Sequence, residues 1–302
     1  MAKTFLPYAY LRWAFLPFQD ANISIATHAL HYGTAAFWGI RVTVTDEWNA
    51  LFFRLDDHAK RLSRSAHYLG YEIAPEFIRS RLIEFVEMNK PKTSIYIRPL
   101  VYTSDLDISP RLHEIEKDFL IYGIELGDYL AADGVSATIS SWVRQSDASF
   151  PLRAKISGGY ITSALAKSEA VERWFDEALM MNSAGKLSEW SGMNVFLVRD
   201  GTIITPGVTE DILEGITRSS VISIARHLGY EVIERSVDKS ELFIADEVFL
   251  TGTAARITPV KKIEQYILPA DRPVFSVLKS YMNTIFSREA TPFSHWIEEV
   301  KL

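Results

Sequence analysis

Apolar positions recur with two periods along the chain, and the switches between them mark out its elements. Leu51-Phe52-Phe53-Arg54-Leu55 is a continuous apolar run suited to a strand. Asp56 and Asp57 then open a helix carried by His58, Leu62, Ala66 and Leu69 and stopped at Gly70. A second helix runs from Pro75 to about Met88, with Phe77, Ile78, Leu82, Phe85 and Val86 recurring at helical spacing and proline in its first turn. Ser94 to Tyr102 and Phe119 to Tyr122 are β-rich. The stretch from Leu126 to Gly134 gathers turn formers and breaks the pattern, so it is the expected linker. Beyond it, Val135 to Trp142 alternates like a strand and a helix follows Tyr160 as far as Trp174. Ala178–Asn182 and Asn194–Arg199 read as strands flanking a loop at 184–192, and a further amphipathic helix starts near Thr217 and stops at Gly229. Strands and helices alternate throughout, which predicts a mixed α/β (α+β) chain. The expected division is a smaller domain over 1–125, a linker over 126–133 and a larger domain over 134–302 that holds Lys155.

Composition narrows the chemistry. The 302 residues are 48% hydrophobic and 23% charged, an ordinary globular balance, and the net charge of −6 supplies no basic face for a nucleic acid. There is no cysteine, which removes disulfides, thiolate metal sites and cysteine nucleophiles and fits a reducing cytoplasm. The N-terminal twenty residues are interrupted by Pro7, Arg12 and Pro17 and do not read as a signal peptide. No apolar stretch is long enough to span a membrane. Walker A, dinucleotide-binding and nucleophile-elbow patterns are absent. His28 and His31 read as part of a packed turn, and no metal site is expected.

Lys155 stands out, because it lies between Ala154 and Ile156 and just before Gly158 and Gly159. A lysine in a partly desolvated pocket is a usable amine nucleophile, although the local sequence taken alone favours a surface lysine on a glycine-rich loop. The glycines would permit close backbone approach to a bound group. Leu213-Glu-Gly-Ile216-Thr217 precedes a helix, so the amides of Ile216 and Thr217 could hold a phosphate at its positive end. Thr251-Gly-Thr253-Ala254 is a similar small-residue turn after a strand. Glu189 lies on the expected loop at 184–192 and could fix a pyridinium proton. A lysine amine, an acid for a ring nitrogen and amides for a phosphate are the set that pyridoxal 5′-phosphate requires.

Seven blocks in order along the chain carry a resemblance. They are His28-Ala-Leu-His-Tyr-Gly-Thr34 with Phe37-x-Gly-Ile-Arg41, His58-x-x-Arg61-Leu62, Tyr96-Ile-Arg98-Pro-Leu100, Ala154-Lys155, Ser188-Glu189, Gly215-Ile-Thr-Arg218 and Gly252-Thr-Ala254. Together they resemble the branched-chain amino acid aminotransferases among the fold-type IV (D-amino acid aminotransferase-like) pyridoxal phosphate enzymes. The resemblance implies that Lys155 bonds the cofactor and moves the proton, Glu189 pairs with the ring nitrogen and Tyr160 bonds the ring oxygen. It further implies that Arg61, the amides of Ile216 and Thr217, and Thr253 hold the phosphate, with Leu213 against the ring. Phe37, Tyr96 and Arg98 would line the substrate side, and the Thr253–Ala254 backbone would lie near the α-carboxylate. Period-two spacing puts Tyr96 and Arg98 on one strand face, where the arginine could pair with the distal carboxylate of glutamate.

The implied reaction moves an amino group between a branched-chain or related hydrophobic L-amino acid and 2-oxoglutarate. The site is expected in an interdomain cleft of a homodimer or higher homo-oligomer. A D-amino acid or (R)-amine transaminase, an aminodeoxychorismate lyase and a non-catalytic binding protein share the fold, but Tyr96-x-Arg98 and the intact Lys155 and Glu189 weigh against them. The family usually has glutamate where Trp38 stands, glycine at Trp190 and often glutamate at Met193. These three side chains are expected either to reshape the substrate side and shift specificity, or to face core.

Overall fold

The computed structural model describes residues 3–126, 133–289 and 291–302. The proposed linker at 126–133 therefore lies almost wholly outside the described residues. In chain order the elements are β1 (Tyr8–Leu11), β2 (Ala14–Pro17), α1 (His28–Tyr32), β3 (Ala35–Phe37), β4 (Ile40–Val44), β5 (Asn49–Phe53), α2 (Leu55–His67), α3 (Pro75–Asn89), β6 (Ile95–Thr103) and β7 (Lys117–Glu125). After the undescribed stretch come β8 (Val135–Ile139), α4 (Tyr160–Glu172), β9 (Glu177–Met181), β10 (Leu187–Trp190), β11 (Asn194–Arg199), β12 (Thr202–Thr205) and α5 (Ile216–His227). The chain ends with β13 (Val232–Glu234), β14 (Glu247–Gly252), β15 (Arg256–Ile263), β16 (Tyr266–Ile267), α6 (Pro273–Phe286) and β17 (Ile297–Lys301).

The chain divides into two compact units. Unit 1 is Met1–Gly127 with Ala154–Gly158 and Ala290–Leu302; unit 2 is Asp128–Arg153 with Gly159–Glu289. Unit 1 is built on an antiparallel sheet in the order β17-β5-β4-β6-β7-β1-β2, with β3 also paired to β6. Along β6, Ile95, Ile97 and Val101 are buried, whereas Tyr96, Arg98 and Leu100 are only half-buried. This alternation gives the sheet one face for α2 and α3 and one that is only half-buried. The helix face of α2 buries Leu55, His58, Ala59, Leu62, Ser65 and Ala66, and α3 buries Ile78, Leu82, Phe85 and Val86. Those are largely the positions that the apolar spacing predicts.

Unit 2 is a mixed sheet in the order β10-β9-β8-β15-β14-β11-β12-β13. β8 pairs in parallel with β9 and with β15, and the connection from β8 to β9 runs through α4. One side of β11 and β14 contributes Val195, Leu197, Val248 and Leu250 to a core that also contains Leu187 and Trp190. The alternate residues Phe196 and Phe249 stack 5.1 Å apart on the other side, with Phe249 meeting Phe275 of α6. β8 stops at Ile139, short of the Trp142 that the alternation suggested. The Ser140 hydroxyl and Ser141 N–H turn instead to the Glu169 carboxylate on α4.

A charged clasp closes the turn before β14. Glu241 accepts from Arg235 Nη1 at 2.9 Å and Nη2 at 2.6 Å, and also from the Asp238 N–H in a capping box. The Arg235 bonds hold its carboxyl below the usual glutamate range against an opposing effect of burial. Its ionised form is therefore favoured by folding, so the stabilisation is present above the ordinary glutamate pKa and is lost as pH falls through the lowered one. Glu241→Gln is expected to cost about 1 kcal/mol at pH 7 for this partly exposed pair. The gap to the parent should close as urea melts are repeated from pH 7 down to 4; a gap independent of pH would assign the effect to packing.

Candidate active site

In unit 1 the segment Ala154–Gly158 runs through an isolated bridge at Ile156 into a 3-10 turn that starts at Ser157, and it is stitched to its surroundings. Phe37 N–H donates to Lys155 O at 2.9 Å, Ile156 bridges Ala36, and Gly158 N–H donates to Gly33 O at 3.0 Å. Lys155 N–H donates to Ser65 Oγ at 3.1 Å, and that hydroxyl donates to Arg61 O one turn back on α2. Ala154 and Ile156 are buried while Lys155 between them is half-buried, so the segment alternates as a strand does. The backbone thus fixes Lys155 relative to Arg61 and Phe37. Although Lys155 follows the proposed linker in sequence, its segment packs as part of unit 1.

The half-buried face of the unit 1 sheet collects the expected substrate residues. Arg41 stands opposite Tyr96 and Phe37 opposite Leu100, so Arg41, Tyr96, Arg98 and Phe37 share one face. The Arg98 guanidinium lies 4.8 Å from the Phe37 ring centre and the Lys155 ammonium 5.3 Å from the same ring. Arg98 Nη2 donates to the Tyr96 hydroxyl at 3.4 Å. His58, one turn before Arg61, is fully buried and stacks on Trp38 at 5.5 Å. Burial, together with the cations Arg61, Arg54 and Lys155, pushes its pKa well below the usual histidine value.

In unit 2, Glu189 is a buried residue of β10 rather than part of a loop. A register shift between Leu187 and Glu189 lets Leu187 and Trp190, three apart, enter the same core, so the period-two signal of a strand is lost. Glu189 Oε1 accepts from Arg144 Nη2 at 2.7 Å; Oε2 accepts from Asn194 Nδ2 at 3.1 Å and from Leu213 N–H at 3.0 Å. Asn194 Nδ2 also donates to Leu213 O at 2.9 Å. A Cβ at Gly215 would lie 2.1 Å from Asn194 Oδ1, so this residue must be glycine for the loop to reach α5 over the amide. Glu189 is thereby joined to the loop that leads into Ile216 and Thr217, the first turn of α5. Its N-cap residue is Gly215, which has no side chain to cap that N-terminus. Thr253 and Ala254 form the turn between β14 and β15, next to Thr251, which is paired with Asn194. Tyr160 opens α4.

Two features singled out in the sequence have defined surroundings in the structure. Trp38 and Trp190 are both completely buried, Trp38 against His58 and Trp190 within the unit 2 core, and the partly buried Met193 packs on that same core. Of the two placements expected for these side chains, the core is where the two tryptophans lie. The glycines after Lys155 lie against other parts of the same chain: a Cβ on Gly33 would meet Gly158 Cα at 2.8 Å, and one on Gly159 would meet the Phe150 ring at 2.5 Å. Residues that sequence reading missed are Ser65, Arg144 and Asn194. Ser65 was discoverable, since it lies four positions after Arg61 on the same helix face; Arg144 and Asn194 carry no local signal. Among the described residues no cluster of potential ligands could hold a metal, and His28 is occupied by Thr34, Thr103 and Ser109 O.

Each unit carries groups whose chemistry suits pyridoxal phosphate: in unit 1 a backbone-fixed lysine and an arginine one helical turn from its hydroxyl anchor, and in unit 2 a buried acid and a helix that starts at a glycine. The amino-transferase class IV family model matches residues 39–263. The chain is 58% identical over 300 residues to a probable branched-chain-amino-acid aminotransferase of Synechocystis sp., covering 99% of this chain and 98% of that protein. Among solved structures it is similar to the branched-chain aminotransferase of Thermoproteus uzoniensis with norvaline (TM-score 0.93, 36% identity, 99% of each chain). It is also similar to the branched-chain amino acid aminotransferase from Thermobaculum terrenum in its PLP-form, the holo-form (TM-score 0.92, 32% identity, 99% of each chain).

Gly33 tests the fixing of Lys155. It caps α1 with φ +65° as well as touching Gly158, so alanine is penalised both by backbone conformation and by contact. Gly33→Ala is expected to destabilise the protein by about 1–3 kcal/mol. It should also raise hydrogen exchange at the Phe37 and Gly158 amides, and unchanged exchange at both would show that the segment is held without this contact.

Proposed function

The chain belongs to the amino-transferase class IV family, and from that premise we propose that it is a pyridoxal phosphate-dependent branched-chain aminotransferase of fold-type IV. The reaction exchanges an amino group between leucine, isoleucine or valine and 2-oxoglutarate. The observation that carries this reading is the shared Phe37 ring, which has the Lys155 amine and the Arg98 guanidinium each about 5 Å from its centre. An amine for chemistry and a guanidinium for a second carboxylate beside one apolar surface suit a site that must take both glutamate and an aliphatic side chain.

Pyridoxal phosphate, when bound, supplies an aldehyde that takes up the amino group and a ring that draws electrons from the substrate Cα. Lys155 Nζ holds that aldehyde between turnovers and carries the proton to and from the substrate Cα. Its backbone bonds to Phe37 and Ser65 let the side chain move while the segment stays fixed. Glu189 holds a proton at the ring nitrogen, supported by its N–H donors from Arg144, Asn194 and Leu213. Arg61, the Ile216 and Thr217 amides and Thr253 bind the phosphate, the helix start contributing its positive end. Leu213 packs on the ring and Tyr160 bonds its oxygen. Arg98 pairs with the distal carboxylate of glutamate, and Phe37 and Tyr96 cover an aliphatic side chain. The Thr253–Ala254 backbone meets the α-carboxylate.

The same reading includes a homodimer or higher homo-oligomer in the cytoplasm. Its support is the cluster of exposed apolar residues Ile25, Leu30, Leu106 and Ile108. The cluster is held together by bonds from His31 to Ile25 O, His28 N–H to Asp105 O and Tyr32 to Ile108 O. No helix among the described residues is long and apolar enough to cross a membrane.

Lys155→Ala is expected to lower kcat by about a thousandfold or more, and borohydride reduction of the parent should place the cofactor on the peptide holding Lys155. Near-parental turnover, or an adduct on another lysine, would overturn the assignment. Ile25→Asp with Ile108→Asp should shift sedimentation from dimer or larger toward monomer; an unchanged mass would remove this surface as the interface.

A further inference from the structure

The arginine on Glu189 has a role beyond burying a charge. Arg144 is itself buried, and its guanidinium meets Glu189 Oε1 at 2.7 Å, Ser163 Oγ on α4 at 3.3 Å and Asp211 O at 3.2 Å. Its own N–H donates to Met181 O at 2.8 Å, so both ends of the residue are anchored. Neighbouring charges are directed elsewhere: the Asp211 carboxylate accepts the Asp147 N–H, and Arg153 pairs with Asp147 and Glu214. A guanidinium held this firmly cannot follow a change in the carboxylate, so it biases whatever proton that carboxylate shares.

We infer that Arg144 is a positioning residue that keeps the shared proton on the cofactor ring nitrogen rather than on Glu189. The inference rests on the reading of Glu189 as the acid at that nitrogen. In a buried setting, a carboxylate facing a protonated pyridine has an alternative: the proton crosses to oxygen, both groups become neutral, and the cost of burying two charges disappears. A ring left unprotonated withdraws electrons poorly. The Arg144 cation removes that alternative, because a neutral carboxylic acid would leave the buried guanidinium without its counter-charge. The Asn194 and Leu213 N–H groups act in the same direction, since both donate to Oε2 and favour an oxygen that carries charge. The proton count is unchanged by this choice; only the atom that bears the proton differs.

The test reconstitutes apoprotein with pyridoxal phosphate labelled with ¹⁵N in the ring and reads the nitrogen chemical shift, which separates protonated from unprotonated pyridine. The variants are Arg144→Met, Arg144→Gln, Arg144→Lys and Glu189→Gln. The parent and Arg144→Lys, which keep a cation, should show a protonated ring. Arg144→Met should move the signal toward the unprotonated position and lower kcat by about 10–100-fold, the range usual for a partner acting through a ligand-contacting group. Arg144→Gln keeps polar volume without charge and should behave as Arg144→Met does. It carries the comparison if the methionine variant fails to fold, with circular dichroism of the apoprotein as the check. A protonated ring with near-parental kcat in a folded, uncharged Arg144 variant overturns the inference. Glu189→Gln separates it from the reading beneath: if that variant leaves the ring nitrogen signal unmoved, Glu189 is not the acid, and the failure lies there.

Discussion

A charged carboxylate in the interior of unit 2 is the constraint from which much of that unit follows. Glu189 is only 4% exposed, and an ionised group so placed is tolerated only when N–H donors replace the water it has lost. The donors come from segments far apart in the chain. Arg144 follows β8, Asn194 starts β11, and Leu213 leads into α5. Satisfying one side chain therefore brings together a loop, a strand edge and a helix start. Removing one partner of such a pair typically costs about 3–5 kcal/mol, because the charge left behind remains buried. The same bonds that stabilise the acid also set the path of the loop into the first turn of α5.

Unit 1 meets a different demand, which is to hold a lysine firmly at its backbone. The solution is a strand-like segment bonded on both sides, with Ala154 and Ile156 buried and Lys155 half-exposed between them. Gly33 sets the closeness of this packing, since a Cβ there would lie 2.8 Å from Gly158 Cα. Most of the precision lies in the main chain. A side chain attached to such a segment samples rotamers without carrying the segment along.

Legibility in the sequence followed locality. The helices α2 and α3 and the strands β6 and β11 were readable because their apolar spacing is carried within a few consecutive turns or pleats. Lys155, Glu189, Arg61 and the α5 start were readable as residue types in ordered blocks. The strand that holds Glu189 was not, because its bulge destroys alternation and turns four consecutive positions into buried ones. Arg144 was invisible for a different reason: its partners lie on elements remote in sequence, and nothing in Trp142-Val143-Arg144 distinguishes a buried arginine from a solvated one. Its neighbours Trp142 and Val143 are in fact exposed.

Trp38 shows how a departure from a family pattern can act without touching substrate. Phe37 lies on the half-buried face of the unit 1 sheet with Tyr96 and Arg98, and the next residue packs against His58. An acid there would place an anion beside an imidazole whose surroundings already hold Arg54, Arg61 and Lys155, and would draw on their charge. The indole leaves that charge undivided. His58 is neutral across the physiological range, because burial and those same cations depress its pKa, so it neither adds to nor subtracts from the field. A replacement that looks from sequence like a change of substrate wall is thus, in the folded chain, a fully buried ring packed on a neutral imidazole, and its first effect is on the interior of unit 1.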